Sequence, residues 1–131
     1  MNRSQLDKYI TDKYGVTAER LFEKNPGFQA YRHNDTKKWF AMIMDIPKSR
    51  LGLGVQNIID VVNLKCDPLL IGSLRMEQGF YPAYHMNKEN WITVALDGSA
   101  PDDKIKMLVD MSYELTMKKA LKKKMIKKIC L

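Results

Sequence analysis

Few side chains in this sequence could do chemistry, and they are spread along the chain. His85 stands in Tyr84-His85-Met86-Asn87-Lys88, and the other histidine, His33, lies far upstream. Imidazole acts as a base only when another group orients it, and holds a metal only with further ligands. No acidic pattern surrounds either ring, so a hydrogen-bonded histidine in a hairpin outweighs a catalytic one. Lys88 falls at the tip of that hairpin beside Asn87, a residue that tolerates positive φ. It reads equally as a phosphate contact and as a solvated turn residue. Lys65 is mid-strand, between Leu64 and Cys66. It binds an anion on a sheet face, or it snorkels and pairs with Asp67 or Asp97. Trp91 and Trp39 are able to stack on nucleobases, a contact worth about 1–3 kcal/mol per base. Large aromatics on strands more often pack.

Other combinations fail on spacing. Asp97-Gly98-Ser99 before a helix invites phosphate and nucleophilic-serine readings, but it has one glycine, no GxSxG elbow and no neighbouring base. A turn and an N-cap account for it. Cys66 and Lys65 are strand neighbours that point to opposite faces, so the lysine does not activate the thiol, and Cys66 reads as core. The two cysteines, Cys66 and Cys130, form neither a disulfide framework nor a zinc site. The chain contains no Walker loop, no GxGxxG and no HExxH, and its acids form no acid/base pair. No cofactor or metal is implied, and an enzyme is the least supported class.

Charge is distributed unevenly. The 131 residues carry 22 Lys+Arg against 15 Asp+Glu, a net +7. Residues 118–131 hold seven of the lysines and no acid, so residues 1–117 are balanced at 15 of each sign. In that tail Met117, Leu121, Met125 and Ile129 recur every four residues among the lysines. The spacing predicts an amphipathic basic helix, of a kind that binds phosphate backbones or anionic surfaces. A final helix that simply runs on past the domain fits equally. Met1-Asn2-Arg3-Ser4-Gln5 lacks the apolar core of a signal peptide, and no apolar run approaches the roughly 18 residues of a spanning helix. The expectation is a reduced, cytoplasmic protein with one domain, 1–117, and a Lys-rich extension, 118–131.

The elements that must position these groups follow from periodicity. Ser4 to Tyr14 predicts a helix with Leu6, Ile10 and Tyr14 on one side and Gly15 as its stop. Thr17 to Phe22 reads as a short second helix ended by Asn25-Pro26-Gly27. Strands follow over 28–33, 38–46 and 58–66, with Asn34-Asp35-Thr36 as the first turn. Asp67-Pro68 opens a helix carrying Leu69, Leu70, Ile71 and Leu74, with Gly79 as its C′ residue. Residues 80–86 and 91–96 form a hairpin across 87–90. Ser99 and Asp102 are spaced as a capping box for the longest helix, whose stripe is Ile105, Leu108, Val109, Ser112 and Leu115. The sum is a two-layer α+β domain: a five-stranded, mainly antiparallel sheet with helices on one face, in the order α-β3-α-β2-α. Parity places Asn63, Lys65, Trp91 and Thr93 on the other face, which reads as an open polar working surface.

At these residues the sequence resembles a known family. The blocks Asn63-Leu64-Lys65-Cys66-Asp67-Pro68, Ala83 to Lys88, Trp91-Ile92-Thr93-Val94, Leu96-Asp97-Gly98-Ser99 and Ser112-Tyr113-Glu114-Leu115 are similar to the MmcQ/YjbR family. Lys38-Trp39-Phe40-Ala41 fits its second strand. The resemblance covers roughly residues 15–117 and leaves out the tail. It implies a fold shaped like type III secretion chaperones and the double-wing domain of a phage transcription factor, and a DNA-binding function. Asn90 departs from the pattern, standing where many members have a histidine before the tryptophan. The expected contacts are Lys37, Lys38, Lys65, His85, Lys88 and Trp91 with Lys118, Lys119, Lys122 and Lys123 of the tail, giving non-specific, salt-sensitive binding to DNA. The alternative is a protein-interaction or chaperone-like module that uses the open sheet face.

Overall fold

Asn2 starts the first helix. Its side chain accepts the Gln5 N–H at 2.9 Å while Gln5 Oε1 accepts the Asn2 N–H at 2.9 Å, a reciprocal cap for α1 (Arg3–Tyr14). Gly15, at φ 65°, stops it. The computed structural model describes residues 1–117; the predicted tail helix and its lysines lie outside the described residues. After α1 come β1 (Glu19–Phe22), β2 (Asn25–Arg32), β3 (Trp39–Pro47) and a single 3-10 turn (Lys48–Leu51). They are followed by β4 (Ile58–Lys65), α2 (Pro68–Leu74), β5 (Phe80–Pro82), β6 (Trp91–Ala95) and α3 (Asp102–Leu115).

The two-layer α+β expectation holds, with six strands in place of five. They are ordered β1-β2-β3-β4-β6-β5, and every neighbouring pair is antiparallel. The extra strand is the segment expected to be a short helix. Six residues make a marginal helix, and here Glu19 and Arg20 pair instead with Ala30 and Gln29. Asn25-Pro26-Gly27 therefore begins a strand and does not end a helix. A side chain at Gly27 would meet the exposed Asp45 carboxylate, which would have to swing aside.

All three helices pack on one face. Leu6 and Ile10 of α1, Ile71 and Leu74 of α2, and Ile105, Leu108 and Val109 of α3 are buried against Tyr31, Ile43, Val62, Leu64, Ile92 and Val94. Burying a side chain of this size is worth about 1.5–3 kcal/mol. Ser112 sits within the α3 stripe and is fully buried. Its hydroxyl donates to the Phe40 carbonyl and accepts the Lys65 N–H at 2.8 Å. The ladder between β3 and β4 runs only from Ala41↔Leu64 to Pro47↔Ile58, so these two groups lie just past it.

Three local expectations fail for identifiable reasons. The N-cap of α3 is Pro101, two residues beyond Ser99, so the helix starts without a side-chain cap, while the Ser99 hydroxyl donates to Asp97 Oδ1 at 2.5 Å in the preceding turn. Gly79 is not the C′ residue of α2, which ends at Arg75; at φ 93° it leads instead into β5. The hairpin arm stops at Pro82, because Pro has no N–H for the ladder and the backbone N–H of Tyr84 bonds a side chain.

The largest correction concerns the second face. Met44, Ile46, Ile59, Val61 and Ala95 form a second buried cluster there, covered by Phe28, Leu51, Tyr81 and Tyr84. Asn63 and Thr93, expected on an open polar surface, are fully buried. The excursion after β3 and the segment after β5 fold over this face and close it.

Candidate nucleic-acid interface

Where those two segments meet they leave a cleft of about 360 Å³, lined by Arg50 and Leu51 on one side and by Pro82 to His85 and Lys88 on the other. Arg50, His85 and Lys88 are exposed, and none of the three forms an ion pair among the described residues. No carboxylate lines the cleft. The nearby Lys48 is engaged otherwise. Burial works to raise the Asp97 pKa, but the Ser99 hydroxyl and amide and the Lys48 charge outweigh it and hold Asp97 below the usual carboxylate range. Two exposed cations, Arg50 and Lys88, and an imidazole able to donate a hydrogen bond surround one hollow and make a site for an anion.

Backbone geometry fixes the upper wall. His85 has φ 59°, a left-handed conformation that costs an L-residue about 1–2 kcal/mol. Its ring lies 4.0 Å from the Tyr84 ring, and it makes no hydrogen bond among the described residues, contrary to expectation. Beyond it Asn87 organises the turn: its side chain accepts the Glu89 N–H at 2.8 Å and its carbonyl accepts the Trp91 N–H at 3.0 Å.

The remaining expected contacts gather at one end of the sheet. Lys65 pairs directly with Trp91 across β4 and β6; both are half-buried, and Lys65 has no ion-pair partner among the described residues, so neither Asp67 nor Asp97 claims it. Lys37, at φ 64°, and Lys38 are exposed in the turn between β2 and β3, where the Lys38 carbonyl accepts the His33 N–H at 2.9 Å. Antiparallel pairing puts that turn beside the Lys65 end of β4. His33 Nε2 lies 2.7 Å from Thr116 Oγ1, which brings the end of α3 to the same place. Trp39 is covered by the Arg32 guanidinium, 5.2 Å from its ring, and Cys66 is buried, with its thiol pushed up to about 11 by burial and then by Asp67.

A family model described as YjbR matches residues 11–115. The chain belongs to the YjbR family. This YjbR-family chain is 36% identical over 116 residues to the uncharacterised protein YyaQ of Bacillus subtilis (strain 168), covering 88% of this chain and 98% of that one. It is 38% identical over 92 residues to YjbR of Escherichia coli (strain K12), covering 68% and 75%. A crystal structure of a Pseudomonas syringae protein superposes with a TM-score of 0.87 at 44% identity, over 89% of this chain and 100% of that one. A Deinococcus radiodurans protein at 22% identity and TM-score 0.67 shares the fold.

Two larger hollows in this YjbR-family fold are less suited to an anion. One, of about 480 Å³, includes Arg3 and Asp7, but Arg3 is bound to the Gly27 carbonyl and Asp60, and Asp7 to the Tyr31 hydroxyl. The other, of about 520 Å³ on the outside of α3, includes Asp103, Asp110 and Glu114. Sequence reasoning missed Arg50, which sits in a link without periodicity and reaches the cleft only because Leu51 packs on the second face. It also misplaced Asn63 and Thr93. Their polarity signals an internal bond and not a surface. Among the described residues no helix is long and apolar enough to cross a membrane.

Proposed function

We propose that this protein binds nucleic acid through its backbone phosphates, without sequence readout. The observation that carries the reading is the cleft in which Arg50, His85 and Lys88 converge with no carboxylate. Lys37, Lys38, Lys65 and Trp91 extend the basic and aromatic surface along one end of the sheet, where the described chain also ends. The balanced charge of residues 1–117 makes local arrangement the source of affinity, and the lysines of 118–131 add a sequence-independent term. The alternative of a protein-holding module has less sheet surface to use, because the middle of that face is buried.

The test is fluorescence anisotropy with a labelled single-stranded oligonucleotide and its duplex across a salt series. Binding in the micromolar range at low salt is expected, falling with salt by about 0.7 in log–log slope per phosphate contact on a single strand. Combining Arg50→Ala, His85→Gln and Lys88→Ala removes two fixed positive charges and should lower that slope by about 1.4. Binding no tighter than roughly 100 μM at low salt, the weak end of non-specific affinity, refutes the reading.

A further inference from the structure

Asn63 and Thr93 face each other directly across β4 and β6, fully buried beside the apolar cluster of Met44, Ile46, Ile59, Val61 and Ala95. Burying an amide and a hydroxyl there is costly unless each finds partners. They find them in a closed ring. The Thr93 hydroxyl donates to Asn63 Oδ1 at 2.5 Å, the Asn63 amide donates to the Tyr84 carbonyl at 2.7 Å, and the Tyr84 N–H donates to Thr93 Oγ1 at 2.9 Å. Both backbone polar groups of Tyr84 are thereby captured by side chains of the central sheet. Tyr84 lies beyond the end of β5 and has no strand to supply those bonds.

The residue after Tyr84 is His85, in its left-handed conformation, and Lys88 follows within the same segment. A strained residue persists only where its surroundings fix it. Here the ring anchors one side and the Asn87 turn anchors the other.

We propose that Asn63 and Thr93 are positioning residues of the cleft: their ring holds Tyr84, and through it the His85 and Lys88 side chains, in the binding arrangement. The inference rests on the reading of the cleft as a phosphate site. It explains why two polar side chains occupy positions where a valine pair would pack with Val61 and Ala95.

The decisive variant combines Asn63→Val with Thr93→Val. Replacing both partners by apolar groups of similar size leaves no orphan in the sheet, so the fold stays while Tyr84 loses its anchors. The expected result is a thermal midpoint close to that of the unmodified protein, His85 Cα and Cβ chemical shifts that leave the left-handed range, and affinity for a mixed-sequence single-stranded oligonucleotide lower by about tenfold at low salt. Thr93→Ser alone, which keeps the hydroxyl and leaves Asn63 in place, should retain both the His85 shifts and the affinity. In a His85→Gln, Lys88→Gln background the valine pair should weaken binding by less than twofold. Thr93→Val alone serves as a second variant and should show the same loss.

Unchanged His85 shifts overturn the positioning role, as does an equal loss of affinity in the background that lacks the His85 and Lys88 side chains. Absence of binding by the unmodified protein is a separate failure: it refutes the function of the cleft, not the mechanical role of the ring.

Discussion

Ser112→Ala removes one oxygen from the centre of the molecule, and the structure turns that into a large effect. The Ser112 hydroxyl is the partner of two main-chain groups, the Phe40 carbonyl and the Lys65 N–H, at the point where β3 and β4 leave their ladder. Without it both are stranded beneath α3, where Ser112 is fully buried. A buried group left unpaired costs about 1–3 kcal/mol. Alanine returns about 0.5 kcal/mol of helix propensity, so with two groups stranded the net loss is about 1.5–5.5 kcal/mol. Urea denaturation at pH 7 measures it, and native-state hydrogen exchange locates it, because the Lys65 amide should lose its protection first. A loss below about 0.5 kcal/mol, or a Lys65 amide that exchanges as slowly as before, would refute the reasoning.

Asp110 accepts the Tyr9 hydroxyl at 2.9 Å, the Tyr14 hydroxyl at 2.5 Å and Lys13 Nζ at 2.7 Å, joining α1 to α3. Burial pushes its pKa up, but these donors, Lys13 foremost, outweigh burial and hold it below the usual range. A depressed folded-state pKa stabilises above the unfolded value and is lost as pH falls through the folded one. Asp110→Ala should therefore cost about 2 kcal/mol at pH 7, with the gap to the unmodified protein closing below about pH 4; a gap that stays constant in urea melts down to pH 3 sinks the account. His85→Gly relieves the left-handed strain and should raise stability by roughly 0.5–1 kcal/mol while weakening oligonucleotide binding. A destabilised His85→Gly protein contradicts it.

Periodicity and caps make much of this fold readable in advance. Leu6, Ile10 and Tyr14 with Gly15 define α1 almost to the residue, and Asp67-Pro68 opens α2 as turn chemistry requires. Alternation places Val62 and Leu64 with Ile92 and Val94 on one face. Failures occur where a long-range partner outvotes a local rule. Glu19 and Arg20 are helix-compatible until β2 offers them a ladder. Ser99 is spaced as an N-cap, but α3 starts two residues later, at Pro101, and Ser99 bonds back to Asp97 instead. Ser112 is legible as part of the α3 stripe, but its bond to two strands is not, because Phe40 and Lys65 lie far away in sequence. His85 and Lys88 are visible as candidates, whereas Arg50 joins them only through an irregular excursion whose path no pattern encodes.

The strand order also constrains how the chain reaches this structure. β5 has a single strand neighbour, β6, and β6 is made after it. Until residues 91–95 arrive, β5 has nothing to pair with and β4 presents an unpaired edge from Val61 to Lys65. An open edge of this kind is a hazard during synthesis. Insertion of β6 fills that edge, supplies Thr93 to the loop above it and puts Ile92 and Val94 under the helices, with α3 following directly to seal the layer. Strands β1 to β4 form from hairpin-like, antiparallel neighbours, but the cleft and both buried clusters are completed by the last stretch of the domain.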